Sequence, residues 1–337
     1  MSAAPSTGFR RLALGTGIAT FLLIVLGGVV RVSDSGLGCG PAGSGFSGWP
    51  LCRGDLVPGL DLNAVIEYMH RALAAAVGLL MVALAVVAWR RYRDRRGIVV
   101  AATAAAVLVA AQGLLGAATV EENLEEALVA AHLGLAMLLL ALVIYIWRAS
   151  RPEVAGAPPV DGGPRFRGLA AAAQTALFLT IVAGGYMAGT QNYGRADYQL
   201  GDGAHHACGR EFPTCNGDVL PFGQAELVDI HLTHRVLMYV ASILVIALVV
   251  VAVRRRPSAA TVRMAWIAAG LLGIQILLGA LNVWLEEYEL LILAHLAVAT
   301  MLWAQLFALN LALYRVPAPE PGRARGRSRR GAEAATA

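Results

Sequence analysis

Long apolar stretches alternate with short polar segments along the whole chain. A membrane-spanning helix needs about 20 mostly apolar residues, because its backbone polar groups must be satisfied within the segment. Eight stretches meet this length, so we expect an all-α membrane protein with eight transmembrane helices. The first stretch is too long, and is followed by too many others, to be only a cleaved signal peptide. The predicted spans are 12–30, 65–88, 98–119, 127–147, 168–188, 229–252, 264–284 and 290–313.

The distribution of charge predicts how these helices are oriented. The chain of 337 residues is 58% apolar and only 15% charged, with a net charge of +5, whereas soluble domains are about 25% charged. All 27 basic residues are Arg, and most lie before the first helix, after every second helix and in the tail. Arg-rich segments remain in the cytoplasm, so both termini are expected there, with loops 31–64 and 189–228 on the opposite side. Because these arginines act as membrane anchors, no nucleic-acid binding is expected.

The four cysteines all lie in the two loops that are predicted to be extracytoplasmic. Cys39 and Cys52 are in the first loop, and Cys208 and Cys215 are in the second. Disulfides persist outside the cytoplasm, so one bridge within each loop is the simplest expectation, although sequence alone does not determine the pairing. Redox chemistry or metal ligation by thiolates is the alternative, and it is disfavoured because neither pair has CxxC spacing.

Recurring motifs indicate that the chain consists of two related halves. The motif QGLLGA recurs as QILLGA, WPLCRGD recurs as FPTCNGD, and the pair Gly27–Gly28 recurs as Gly184–Gly185. We therefore predict two four-helix bundles in the same orientation, related by pseudo-two-fold symmetry. The predicted parts are an N-terminal half at 1–147, a cytoplasmic linker at 148–167, a C-terminal half at 168–314 and a disordered Arg-rich tail at 315–337.

Four histidines lie inside the predicted spans, and the repeat arranges them as two pairs. His70 and His132 are on the second and fourth helices of the first half, and His234 and His295 hold the same places in the second. Ionisable side chains are costly in a bilayer and usually functional. Two imidazoles at similar depth on parallel helices can ligate one haem iron from opposite sides. An interhelical hydrogen bond would explain a single His, but two repeated pairs favour two haem sites.

The neighbours of these histidines differ between the halves. Arg71 and Arg235 each follow a proposed ligand and could pair with haem propionates, although an interhelical or snorkelling Arg is nearly as good an interpretation. Glu67 lies three residues before His70, on the same helix face. A carboxylate there suggests proton transfer or substrate polarisation, or else a charge that suits the helix N-terminus. His231 takes its place in the second half, so we expect chemistry in the first half and a cofactor in the second.

Several motifs occur in one order along nearly the whole chain: GGVVRVSDSGLGC (27–39), WPLC (49–52), EYMHR (67–71), QGLLGA (112–117), His132, HLTHR (231–235) and His295. In these motifs the chain resembles the haem A synthase family, membrane enzymes that oxidise a methyl group of haem O to a formyl group. The first loop together with EYMHR is specific, whereas either alone is weak. The chain departs from the family in a Gly- and Ser-rich insert between its first two cysteines. This insert affects the expected conformation of the loop rather than the expected function.

The resemblance implies a haem b cofactor bound by His234 and His295. It also implies a site for the substrate haem O that uses His70 and His132, with Glu67 catalytic. Two successive hydroxylations of one methyl group would give a gem-diol that loses water to form the aldehyde, with haem b relaying electrons. The implied partners are haem O synthase, an external electron donor and a terminal cytochrome oxidase that receives the product. The implied location is the bacterial plasma membrane, among its lipids, and homo-oligomerisation is left open.

Two other functions remain open on the sequence. A dihaem electron-transfer cytochrome would explain the four histidines but not a carboxylate in one half only. A haem carrier or export protein would bind haem without modifying it. Analysis of the haem product separates all three.

Overall fold

Eight long helices make up the part of the chain that the structure describes, and the eight predicted spans are confirmed. The computed structural model describes residues 5–152, 154, 160, 162–190, 203–285 and 289–314. Within that part, all eight helices are long and apolar enough to cross a membrane, and there are no strands beyond two isolated bridges. The helices are α1 (Thr7–Val32), α2 (Leu62–Arg91), α3 (Arg96–Glu121), α4 (Glu126–Ala149), α5 (Gly163–Gly189), α6 (Glu226–Arg255), α7 (Ala259–Trp284) and α8 (Glu289–Ala312).

Local capping chemistry determines where several helices begin. The hydroxyl of Ser6 accepts a hydrogen bond from the third residue of α1, and the carboxylate of Asp61 accepts one from the N–H of Ala64 in α2. That backbone N–H is the main cause that lowers the pKa of Asp61. Helix α5 begins at Gly163, five residues before the predicted span, because Pro164 in the first turn suits a helix start. The predicted linker is therefore partly helical.

The first four helices and the last four share one core. Helices α1, α4, α5 and α8 make the contact between the two sets. Two buried side chains of α8 add hydrogen bonds. Across the contact, Trp303 Nε1 donates to the carbonyl of Met137 on α4 at 3.0 Å. Within the last four helices, Asn310 Nδ2 donates to the carbonyl of Ala170 on α5 at 3.0 Å. The largest buried cluster crosses this contact and includes Ile24, Met137, Leu177, Leu248 and Leu302. The division into two domains and their pseudo-two-fold relation remain predictions.

The outward face of the bundle is apolar. Large apolar side chains point away from the core along several helices, among them Leu79, Val100, Leu114 and Ile243, each about two thirds exposed or more. A soluble protein rarely shows so many exposed apolar side chains on its helices. Together with the eight apolar helices, this outward face indicates a multi-pass membrane protein whose surface contacts lipid.

Both predicted disulfides are confirmed, and they lie at one end of the bundle. Cys39 is bonded to Cys52, and Cys208 is bonded to Cys215. The Arg31 guanidinium, near the end of α1, donates to the carbonyl of residue 188, near the end of α5, at 2.7 Å, so both loops start at the same end. We call this the cysteine-loop end. Which side of the membrane it faces remains a prediction, and the predicted disorder of the tail at 315–337 lies outside the described residues.

Candidate haem-binding sites

The four membrane histidines lie at nearly the same depth, close to the cysteine-loop end. Their helices all start at that end, and each His lies two turns or so into its helix. At a rise of 1.5 Å per residue this is about 10 Å from the helix start. His70 lies within electrostatic range of His132, and His295 lies within range of His234. The structure therefore brings the histidines together in the two pairs that the repeat suggested.

Each of these imidazole rings packs against a glycine on the helix that precedes its own. Two of the glycines belong to the QxLLGA motifs and two to the Gly-Gly pairs, so both copies of these two recurring motifs serve the same purpose. Any larger residue would press on the ring, because small residues are what allow such close approach between membrane helices. The distances from a β-carbon built at the glycine to Cε1 of the ring are 3.1 Å for Gly27–His70, 3.1 Å for Gly116–His132, 3.0 Å for Gly184–His234 and 3.1 Å for Gly279–His295.

The hydrogen bonding of the rings fits ligation of a metal. Within the described residues, the buried Nδ1 atoms of His70 and His132 have no hydrogen-bond partner, which is costly in an apolar interior. Nδ1 of His234 lies 3.0 Å from the carbonyl oxygen of Thr180, and donation to it leaves Nε2 available to a metal. The described residues hold no group of three or more His, Cys, Asp or Glu suited to a bare metal ion. A facing pair of imidazoles can instead bind one haem iron.

Glu67 lies between α2 and the first cysteine loop rather than on an open helix face. Its side chain is buried, with only 3% of the residue exposed. Oε2 accepts a hydrogen bond from the backbone N–H of Cys39 at 2.7 Å, and Oε1 accepts one from the Arg71 guanidinium, with which it forms an ion pair. The carboxylate thus joins the ligand helix to the disulfide.

The two arginines that follow the proposed ligands anchor the cysteine loops. Arg71 donates from Nη1 to the carbonyl of Gly48 at 2.6 Å, just before the WPLC segment, and to that of Leu51 at 3.1 Å, within it. Arg235 does the same in the second half, donating to the carbonyls of Glu211 and Thr214, both at 2.8 Å. Its guanidinium also lies over the ring of Phe212. Contact of either arginine with haem propionates remains a prediction.

His231 takes the place of Glu67 in the second half and makes the opposite kind of contact. It is also buried, and its Nδ1 lies 2.7 Å from the carbonyl oxygen of Ala204 in the second cysteine loop. An imidazole N–H that donates to a carbonyl cannot replace a carboxylate that accepts from an N–H. The two sites are alike in their paired histidines and glycines but differ at this position.

Sequence interpretation missed the loop segment beside the second site. His205 follows Ala204 and lies within electrostatic range of His231 and His234. Desolvation lowers the pKa of His205 well below its ordinary value, so the ring is neutral at pH 7. The available signal was a pair of adjacent histidines shortly before a cysteine in a loop, which has no counterpart in the first half.

The two disulfides are expected to differ in their importance for catalysis. Replacing Cys39 and Cys52 by Ser should lower the yield of modified haem more than replacing Cys208 and Cys215, because the N–H of Cys39 holds Glu67. Each double variant should lose about 2–3 kcal/mol of stability, as loops of this length predict. Haem extraction and thermal unfolding measure the two effects. Equal yields from both double variants would contradict the ranking, and four free thiols in non-reduced peptide maps would contradict the bridges.

The fold and the paired sites define a multi-pass helical membrane protein with two candidate haem-binding sites. The model of the cytochrome oxidase assembly protein family (COX15-CtaA) matches residues 61–307, and the chain belongs to this family. Its relatives include proteins named "Heme A synthase". That of Halalkalibacterium halodurans is 32% identical over 241 residues, 70% of this chain and 72% of the relative. Those of Shouchella clausii and Symbiobacterium thermophilum are 30% identical over 247 and 250 residues, about 70% of this chain and 75% and 74% of the relatives.

Proposed function

We propose that the protein is a haem A synthase, a membrane oxidoreductase that converts a methyl group of haem O to a formyl group. The names of its relatives support the reaction. The observation in this chain that carries the proposal is the difference between two otherwise matching sites. Glu67 places a buried carboxylate one helical turn from His70, whereas His231 occupies that place beside His234. One site is built for proton transfer, and the other is not.

The second half would hold the resident cofactor. His234 and His295 would hold haem b, and the carbonyl of Thr180 would orient the ring of His234. When bound, haem b supplies a one-electron redox centre. The residues around haem b would then determine which molecules reach it, because Arg235 anchors the second cysteine loop at the end of the site. Nothing in this half offers a carboxylate at the position of Glu67.

The first half would bind haem O, with His70 and His132 at its iron. The substrate methyl gains one oxygen to become an alcohol and a second to become a gem-diol, which loses water to leave the aldehyde. Glu67 would accept the proton of a hydroxyl group on that carbon and return it to the departing water. The Arg71 guanidinium and the N–H of Cys39 hold the carboxylate in place for this role. Electrons and oxygen come from outside the chain.

The proposed function also implies a location and partners for the protein. The multi-pass fold and the bacterial relatives support the bacterial plasma membrane, and the Arg-rich segments support cysteine loops on the extracytoplasmic side. Haem O would come from haem O synthase, electrons from an external donor, and the product would pass to a terminal cytochrome oxidase. The predicted tail and linker would then face the cytoplasm.

Product analysis tests the proposed reaction. Cells that make haem O and express this protein are expected to accumulate the formyl product, identified by mass after extraction and chromatography of the haems. Cells that express the His70→Ala variant at equal level serve as the control and should yield unchanged haem O. If the wild-type protein binds haem O and returns it unmodified, it is a carrier or an electron-transfer cytochrome, and the proposal is wrong.

A further inference from the structure

Adjacent glycines on α1 and on α5 face different sites. Gly27 and Gly184 pack against the histidine rings of their own halves, as described above. The next residue on each helix, Gly28 or Gly185, lies about 100° further round the helix and faces the opposite half. Each of these second glycines contacts the residue that directly follows a proposed iron ligand.

On α1, Gly28 packs against α8. A β-carbon built at Gly28 would lie 2.6 Å from Cδ2 of Leu296 and 3.1 Å from Cδ2 of Leu293. Leu296 follows His295 in the chain, so any shift of the α8 backbone at Leu296 also moves the ligand. The obstacles are the ends of leucine side chains, which can adopt other rotamers, so a methyl group here would displace α8 only slightly.

On α5, Gly185 packs against the backbone of α4. A β-carbon built at Gly185 would lie 3.1 Å from Cδ2 of Leu133 and 3.3 Å from the Cα of Ala130. Leu133 follows His132, the proposed ligand of the first half. One turn later the contact is closer still, since a β-carbon at Gly189 would lie 2.6 Å from the Cα of Glu126. A backbone atom cannot turn aside, so added volume at Gly185 must move α4 itself.

We propose that Gly28 and Gly185 are positioning residues for the iron ligands of the opposite half. Each site is then oriented by glycines of its own half behind both ligands and by a glycine of the other half beside one of them. Close-packed interiors transmit small changes of volume, and contacts behind a ligand orient it and tune the metal. The inference rests on the proposed assignment of the four histidines as haem ligands.

Alanine substitutions in each glycine pair test the crossed arrangement. In purified protein that contains haem b, the low-spin electron paramagnetic resonance signal reports the second site, and a Soret titration with haem O reports the first. Gly184→Ala should shift the haem b signal and leave haem O affinity unchanged. Gly185→Ala, one residue later, should leave the haem b signal unchanged and weaken haem O binding about 10-fold or more, as loss of support around a ligand does.

The mirrored pair should show the reverse pattern. Gly27→Ala should weaken haem O binding. Gly28→Ala should shift the haem b signal by less than Gly184→Ala does. Adding Leu296→Ala to Gly28→Ala should reduce that shift, because it removes the side chain that the new methyl group meets. Gly113→Ala on α3 is the matched control, because a β-carbon there meets nothing within 4 Å. It should alter neither readout. If Gly185→Ala does not fold, the Gly27 and Gly28 variants and the double variant carry the test.

Two outcomes would overturn the inference. One is that both members of a glycine pair alter the same site. The other is that Gly28→Ala leaves the haem b signal as in the wild type. The His234→Ala variant distinguishes failure of this inference from failure of the proposed function. If the low-spin signal survives in that variant, the assignment of the histidines as haem ligands is wrong, whatever the glycine variants show.

Discussion

The Glu67→Gln protein is expected to lose nearly all formyl product while it retains its haem b. The substitution keeps the shape of the side chain but removes its charge and its capacity to accept a proton. Groups that act as general acids or bases typically contribute about 10²–10⁴-fold to rate. Haem at the alcohol stage should accumulate if only the second oxidation depends on the carboxylate. Mass analysis of extracted haems gives the products, and the reduced optical spectrum gives haem b occupancy.

The contacts of Glu67 offer a second explanation for such a loss of product, namely that the substitution displaces the first cysteine loop. The Arg71→Gln variant distinguishes the two explanations. Arg71 anchors the WPLC segment to α2, and Glu67 anchors Cys39. Arg71→Gln removes the ion pair and weakens the loop anchor but leaves the carboxylate in place. We expect it to reduce the product less than Glu67→Gln does. The rate at which a membrane-impermeant phosphine reduces the Cys39–Cys52 disulfide reports whether either variant has displaced the loop.

Glu121→Gln is the matched control for the change of charge. Glu121 also accepts a hydrogen bond from the first cysteine loop, from the N–H of Gly45 at 3.3 Å, but it is exposed and lies on α3. Its replacement should leave product formation unchanged. Near-normal formyl product from Glu67→Gln would remove Glu67 from the mechanism and leave it as the residue that holds the loop. Equal losses from Glu67→Gln and Arg71→Gln, both with a displaced loop, would lead to the same conclusion.

His234→Ala and His295→Ala are each expected to abolish the low-spin reduced spectrum of haem b. Loss of one imidazole opens an axial position, which changes the spin state of the iron and weakens its hold on the protein. The measurement is the optical and electron paramagnetic resonance spectrum of purified protein at matched concentration.

The matched controls come from the other half of the chain. His70→Ala and His132→Ala remove imidazoles that lie at the same depth and are likewise backed by glycine. They should keep the haem b spectrum and lose the formyl product. An unchanged low-spin spectrum in both His234→Ala and His295→Ala would reject this pair as the ligands of haem b.

Much of this protein could be predicted from its sequence, because the determining physics is local or repeats along the chain. A bilayer demands long apolar helices, so eight of them could be counted directly. An ionisable residue inside such a helix is conspicuous, which identified His70, His132, His234 and His295 before their neighbours were known. Cysteines confined to two loops suggested the two bridges that the structure has. In each case the signal lay in a short segment or in its second copy.

Only the tertiary structure decided what the remaining motif residues contact. Apart from each other, the partners of Glu67 and Arg71 lie about 20 to 30 residues away in a loop with no regular pattern, so spacing on α2 could not reveal them. The glycines of the repeats were visible as motifs, but their role behind the histidine rings depends on which helices lie side by side. The contact from Gly28 to Leu296 spans most of the chain. Such contacts result from how helices pack, and packing depends on all the side chains of an interface together, which no local pattern in the sequence records.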